Sequence, residues 1–314
     1  MIVSTSYSNQ NNHIDRYGGL QRLEIEVTLK CPLKCIHCSS RSGPRKLSKE
    51  LSLNDIERII SEFSKLGGKI VTITGGEPLI KDTSFIVDIL KIAKNCKLQS
   101  RIYTSGYLMN ESIAQEIRDN GVSIVCVSVE GLEETHDKIT RVKGSYKQAI
   151  ETLRLLRKYG VPTRIHFTPM KINYKEFKHV ANLEEELGIK GIRIFALTPQ
   201  GRGRDNWDKL KLSPPEIKEF VTLAEEIRSR GKIEIEFRFG GANEELGFSC
   251  SVSKKIAVTC EGDALPCLGL REKSEKFRGT LGNITRVSLR EIWGRIKVLN
   301  PHEICLMCTG NSKP

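Results

Sequence analysis

Three cysteines within eight positions, Cys31, Cys35 and Cys38 in LKCPLKCIHC, are the densest reactive chemistry in the chain. Ten cysteines occur in 314 residues, and they cluster. Grouped thiols in a reducing compartment argue for a metal centre or catalysis rather than for disulfides. The count of three carries information. A [4Fe–4S] cube has four irons, so four cysteines close it, whereas three leave one iron open to another ligand. A structural zinc ion wants a fourth protein ligand. His37 is nearest, but it adjoins Cys38 and is poorly placed to chelate the same ion.

A second group, Cys250, Cys260, Cys267, Cys305 and Cys308, lies at the other end of the chain, which suggests two sites. Cys126 sits inside an apolar run and reads as core, and Cys96 follows a helix-like segment.

The elements between the two groups have a rhythm. Apolar, β-branched runs recur as LEIEVTL, KIVTIT, QSRIYT, SIVCVSV, TRIHFTP and GIRIFAL. Between them lie amphipathic stretches such as LNDIERIISEFSKLG and YKQAIETLRLLRKYG. Strands alternating with helices imply βα units and a parallel sheet. Gly67, Gly121, Gly160 and Gly188 stand where a helix C′ position prefers glycine. Six βα units fit between about residue 22 and about residue 200, short of the eight of a closed barrel. The rhythm alone leaves an open barrel and a doubly wound sheet as alternatives. In both, the site lies at the C-terminal strand ends. The first strand runs into the cysteine loop; the next three end in TGGEP (74–78), TSG (104–106) and SVEG (128–131). Adjacent glycines at a strand end let backbone approach a ligand closely.

Charged residues make up 28% of the chain and hydrophobic residues 39%, an ordinary globular balance. No apolar run is long enough to cross a membrane. The N-terminal stretch lacks a basic region followed by an apolar one, so a cytoplasmic location is expected. The net charge is +12. Lys and Arg are interspersed with Glu, and no basic arm of nucleic-acid-binding type occurs, which argues against a nucleic-acid partner.

The C-x3-C-x2-C spacing, with His37 before the last cysteine, resembles the radical S-adenosylmethionine (SAM) superfamily, and the later motifs follow in the same order. The resemblance implies a partial (β/α)6 TIM-like barrel, an α/β fold, with Cys31, Cys35 and Cys38 holding the SAM-binding [4Fe–4S] cluster. TGGEP looks like the segment that meets the SAM amino group, which nominates Gly75, Gly76, Glu77 and Pro78. Thr104 belongs to the third-strand motif. Ser128 and Arg141 are nominated for the SAM carboxylate region. Glu130 stands where the subfamily usually has Asp; its longer side chain either reaches a ribose hydroxyl or supports the residues that do. The implied activity is reductive cleavage of SAM to a 5′-deoxyadenosyl radical that abstracts hydrogen from unactivated carbon.

Cys250, eleven residues, Gly262, four residues and Cys267 resemble the opening of the SPASM and twitch auxiliary-cluster modules. Within this stretch TCEGDALPC reads as a hairpin turning at Glu-Gly-Asp. The resemblance implies one auxiliary [4Fe–4S] cluster on Cys250, Cys267, Cys305 and Cys308, with tetrahedral zinc as the competing occupant. Cys260 is open to three readings: a ligand in place of Cys250, a core thiol, or a group acting on substrate. A cluster closed by four cysteines has no iron free for substrate and suits electron transfer. The expected organisation is a polar tail (1–20), the barrel (21–205), a helical and stranded link (206–245) and the small auxiliary domain (246–314).

The substrate expected is a peptide or a small biosynthetic precursor, and the reductant a low-potential carrier such as ferredoxin or flavodoxin. Cys31 leaves no room for a preceding peptide-recognition domain, so a separate recognition protein would serve that role. The absence of a terminal Gly-Gly counts against the molybdenum-cofactor cyclase. The alternatives are a tRNA-modifying radical SAM enzyme, favoured by the charge, and a non-catalytic iron–sulfur electron carrier. His136 is expected to bond locally, Tyr103 and Tyr107 to bound the substrate cavity or, more commonly for strand-end aromatics, to pack, and PQGRGR (199–204) to meet an anion or form a solvated loop.

Overall fold

The computed structural model describes residues 19–44, 49–189, 191–231, 234–238, 254–273, 277, 279–299 and 304, without the side chains of 184, 185 and 238. The six expected strands form as β1 (Arg22–Glu26), β2 (Ile70–Thr74), β3 (Gln99–Thr104), β4 (Ile124–Ser128), β5 (Thr163–Phe167) and β6 (Gly191–Phe195). The helices are α1 (Leu53–Lys65), α2 (Thr83–Asn95), α3 (Glu111–Asp119), α4 (Glu133–Thr140), α5 (Ser145–Lys158), α6 (Phe177–Leu187), the short α7 (Gly201–Asp205) and α8 (Trp207–Leu210), α9 (Pro214–Ser229) and α10 (Leu289–Lys297). The four expected C′ glycines all take left-handed backbone, with φ between 58° and 82°.

The sheet goes further than six strands. β7 (Glu234–Arg238) pairs in parallel with β6. On the other side β8 (Lys255–Val258) pairs in parallel with β1, and β9 (Ala264–Leu265) folds back antiparallel on β8. The strand order is β7-β6-β5-β4-β3-β2-β1-β8-β9, so among the described residues the sheet is open between β7 and β9. The hairpin in TCEGDALPC is present as β8–β9, with Gly262 in its turn at φ +92°. The C-terminal module is therefore bonded to the barrel through the β1 ladder. Helix α10 also packs on α1, and the Leu289 N–H donates to the Glu62 carboxylate.

Helix α1 shows how local sequence builds the outer layer. Ser52 caps it: the Asp55 N–H donates to Ser52 Oγ at 3.2 Å, while the Ser52 N–H donates to Asp55 at 3.1 Å. Its buried face is Ile56, Ile59, Ile60 and Phe63. These side chains meet the outward residues of the strands, Leu23, Ile25, Val71 and Ile73, in one continuous core.

The inner face is different. Parallel strands covered on both faces read as unbroken hydrophobic runs. Here RLEIE, SRIYT, TRIHF and IRIF alternate apolar and polar residues. The polar positions Arg22, Glu24, Glu26, Arg101, Tyr103 and His166 line an internal cavity.

Candidate functional site

The cavity holds about 390 Å³ and extends along the inner face of the sheet up to the C-terminal ends of the strands. Cys31, Cys35 and Cys38 all reach its wall. The loop carrying them is held by backbone bonds: the Cys31 N–H donates to the Gly43 carbonyl at 3.1 Å, Lys34 to Thr140 at 3.1 Å and Ile36 to Ile139 at 2.9 Å. Arg202, from α7, clamps it from above. Its Nε donates to the Cys35 carbonyl and one terminal nitrogen to the Ser42 carbonyl, each at 2.7 Å, and its N–H donates to the Cys38 carbonyl at 2.9 Å. A Cβ at Gly201 would lie 2.4 Å from the Cys38 and Ser39 carbonyl oxygens. PQGRGR is thus not a solvated loop: Gly201–Arg204 lie in α7 against the cysteine loop, and Arg202 lines the cavity. Its glycines permit close approach to the cysteine loop, and its first arginine satisfies that loop's carbonyls.

The GGE segment docks on the approach to Cys31. A Cβ at Gly76 would lie 2.3 Å from the Lys30 carbonyl oxygen, and one at Gly75 would lie 2.3 Å from that of Thr28. The Gly76 N–H donates to Thr28 at 2.7 Å, and the Glu77 N–H to Lys30 at 2.9 Å. Both glycines line the cavity, as do Thr104, Ser128 and Glu130. Glu77 is fully buried, and both its oxygens are used within the protein. One accepts from Thr104 Oγ1 at 2.7 Å and the Leu79 N–H at 3.2 Å; the other accepts from the Ser105 N–H at 2.8 Å and its hydroxyl. Burial raises its carboxyl above the usual range, against these bonds. Glu77 thereby ties the loop after β2 to the loop after β3. Pro78 starts the short turn Pro78–Ile80, buried itself together with Leu79 but not part of the cavity lining.

Arg141 lies elsewhere. It ends α4 in left-handed backbone, φ 59°, and that turn leaves it exposed and outside the cavity lining. The basic side chain that does line the mouth is Arg202. Its place on the sixth βα connection gave no spacing signal relative to the cysteines.

Glu130 is buried, and burial pushes its carboxyl up to about 8. One oxygen accepts from the Thr168 N–H at 2.9 Å; the other lies 3.5 Å from His37 Nε2. Burial lowers His37 to about 4, so the imidazole is neutral at pH 7. His136 bonds locally: its Nδ1 accepts the Glu130 N–H at 3.0 Å. Asp137 beside it caps the start of α5 by accepting from Gly144, Ser145 and Tyr146.

The thiols suit a shared cationic centre. Burial pushes Cys31 up to about 12, and it drives Cys35 well above the ordinary range, with Cys38 and Cys31 adding repulsion. Buried thiols whose ionisation is hindered, as at Cys31 and Cys35, are stabilised when a bound metal centre neutralises them. At the other group, Cys267 lines the cavity and its sulfur lies 3.3 Å from Lys255 Nζ. Cys250, Cys305 and Cys308 lie outside the described residues. Cys260 is fully buried, and its N–H donates to Glu26 at 3.2 Å. Cys260, Glu26 and Glu261 come close enough for a metal site, but Arg271 already pairs with both carboxylates, at 2.6 and 2.8 Å. Cys126 is core, fully buried.

The Radical SAM superfamily profile matches residues 25–184, and that of an iron–sulfur cluster-binding domain, SPASM, matches residues 250–309. An AdoMet-dependent heme synthase of Methanosarcina barkeri is 30% identical over 67% of this chain and 59% of its own. Two further curated relatives are matched over 44% and 45% of their length, so the chain spans about half of these proteins. A GTP 3′,8-cyclase of Petrotoga mobilis is 28% identical over 92% of this chain and 93% of its own. Streptococcus suis SuiB, solved with S-adenosylmethionine bound, superimposes with a TM-score of 0.68 at 18% identity, over 88% of this chain and 67% of that one. The arrangement of three thiols above an open, mostly parallel barrel and these matches lead to one assignment: the chain belongs to the radical SAM superfamily and carries a C-terminal SPASM iron–sulfur domain.

Proposed function

We propose that this chain is an enzyme that cleaves SAM reductively and uses the product to abstract hydrogen from a peptide or small biosynthetic precursor. The observation that carries the reading is the convergence of Cys31, Cys35 and Cys38 with Gly75, Gly76 and Thr104 on one cavity. Three cysteines would hold a [4Fe–4S] cluster with one iron open to SAM, and that pair supplies one-electron cleavage of a carbon–sulfur bond. The chain's own residues supply position and dryness. Arg202 and the two glycines hold the loop, Glu77 braces the strand ends, and Glu130 offers a protonated carboxyl below about pH 8. The substrate class is supported by the names of the relatives, and by SuiB, which was also solved with the precursor peptide SuiA.

Cys250, Cys267, Cys305 and Cys308 would hold the auxiliary cluster and pass electrons to or from the substrate. With Cys305 and Cys308 changed to Ala, reconstituted protein should still cleave SAM and lose the normal product; full product yield sinks that role.

The main test is 5′-deoxyadenosine formation by anaerobically reconstituted, reduced protein, with host extract divided into small molecules, peptides and RNA. One fraction should raise turnover above background, and Cys35→Ala should abolish it. No cleavage with any fraction, with iron confirmed at the Cys31 loop, would overturn the reading.

A further inference from the structure

The cavity floor bears on the substrate. Each acidic side chain lining the cavity already has a partner. Glu24 meets Lys255 at 3.3 Å, Glu26 meets Arg271 at 2.6 Å, and Glu130 accepts from Thr168. Glu236 nearby takes Arg193 at 2.6 Å and Arg164 at 3.2 Å. Arg101 is the exception among the cations. It sits mid-strand on β3 and lines the cavity. Among the described residues nothing accepts a hydrogen bond from it, and its Nε is shielded from solvent without a partner. Burial already holds it below the ordinary arginine range. A half-buried guanidinium has five donors in a planar fork, and leaving them without acceptors is costly.

Above Arg101 lies a wall of rings. Tyr103 is two residues nearer the mouth on the same strand. Its ring centroid is 5.6 Å from that of His166 and 5.9 Å from that of Phe195, and the latter two are 4.5 Å apart. All three line the cavity. The Tyr103 hydroxyl is engaged by Arg193 at 2.9 Å, which fixes the ring.

We propose that Arg101 anchors an anionic group, a carboxylate or phosphate, at the buried end of the substrate, whose apolar or aromatic body lies against Tyr103, His166 and Phe195. The inference rests on the reading of this cavity as the substrate site. At about 3.3 Å of rise per residue, Arg101 lies about 13 Å below Ser105 at the strand end. The substrate enters anion first, with its reacting carbon toward the cysteine loop. For a peptide, the inserted group is a side-chain or terminal carboxylate. Bidentate acceptance by a carboxylate or phosphate is the pairing that a planar fork favours.

The test is calorimetric titration of the cluster-loaded full chain with benzoate, phenyl phosphate and neutral benzyl alcohol. At least one anion should bind the wild type and the alcohol should not; the tighter anion identifies the headgroup. Arg101→Gln should weaken that anion by at least about tenfold, while Arg101→Lys, which keeps the charge without the fork, should fall between. Equal binding of benzyl alcohol, no anion binding by the wild type, or unchanged affinity in both variants would overturn the proposal. A wild type that binds the anion without cleaving SAM would break the enzymatic reading and leave this one standing.

Discussion

The mouth and the interior of the cavity are built by opposite means. At the mouth, what is held is backbone: Gly75, Gly76 and Gly201 allow strand ends and loops to touch at distances that a Cβ would forbid, and Arg202 and Glu77 bind main-chain groups there. In the interior, side chain holds side chain: Arg193, Glu236 and Arg164 form a chain of ion pairs, and Lys255–Glu24 and Arg271–Glu26 form two more. The difference teaches what each zone is for. Close backbone packing places three thiols rigidly while leaving their sulfurs exposed to the cavity. Paired charges keep a polar lumen open where an apolar core would collapse it.

The contrast can be broken from either side. Arg193→Ala has the largest expected effect. Arg193 is 4% exposed, and its removal strands the Tyr103 hydroxyl and half of the Glu236 pairing. Urea denaturation should show a loss of about 2–3 kcal/mol, below the full value for a buried pair because Glu236 keeps Arg164 and some solvent. Iron at the Cys31 loop should survive in the folded fraction; loss of iron in proportion would make mouth and interior one unit.

Gly76→Ala should behave in reverse. The new methyl meets the Lys30 carbonyl oxygen, so the approach to Cys31 must shift. A cost of about 1–3 kcal/mol is expected, with iron content falling more than stability. Retention of full iron content would show that the glycine contact does not position the thiols.

Glu130 sharpens the border between the zones. Its folded carboxyl titrates at about 8, above its ordinary 4.5, so the folded state holds its proton while the unfolded state has lost it. The apo protein should lose stability as pH rises from about 5 to about 8. Glu130→Gln should flatten that slope by on the order of 2 kcal/mol, read from the urea midpoint across pH. An unchanged slope would mean the carboxyl is solvated.

Arg141→Ala is the smallest. An exposed residue outside the lining should change stability by under about 0.5 kcal/mol and leave SAM affinity unaltered. A tenfold loss of SAM affinity would restore the role that resemblance assigns to it.

The strand rhythm, the C′ glycines and the cysteine triplet were legible in the sequence because each depends on local rules: period, turn geometry and ligand count. The six runs from LEIEVTL to GIRIFAL each became a strand. Their inward arginines, in RIYT, TRIHF and IRIF, stayed hidden, because the runs register as apolar and β-branched until the structure shows which face is lined by polar groups. Arg202 was not legible as a clamp, since nothing near Gly201 in the chain marks Cys35 or Ser42 as its partner; those contacts span 160 residues or more.

By itself, then, the sequence determined the elements, the chemistry of the thiols and the order of motifs along the strand ends, because hydrophobic period and ligand type act over a few residues. Only the tertiary structure decided that Glu77 spends its carboxylate bracing Thr104 and Ser105, that β8 adds the C-terminal module to the β1 edge, and that Arg101 lines the lumen with no acceptor among the described residues. Those outcomes depend on which groups reach one another across the sheet and its lumen, and hydrogen-bond partners there are set by geometry between distant segments rather than by neighbours in the chain.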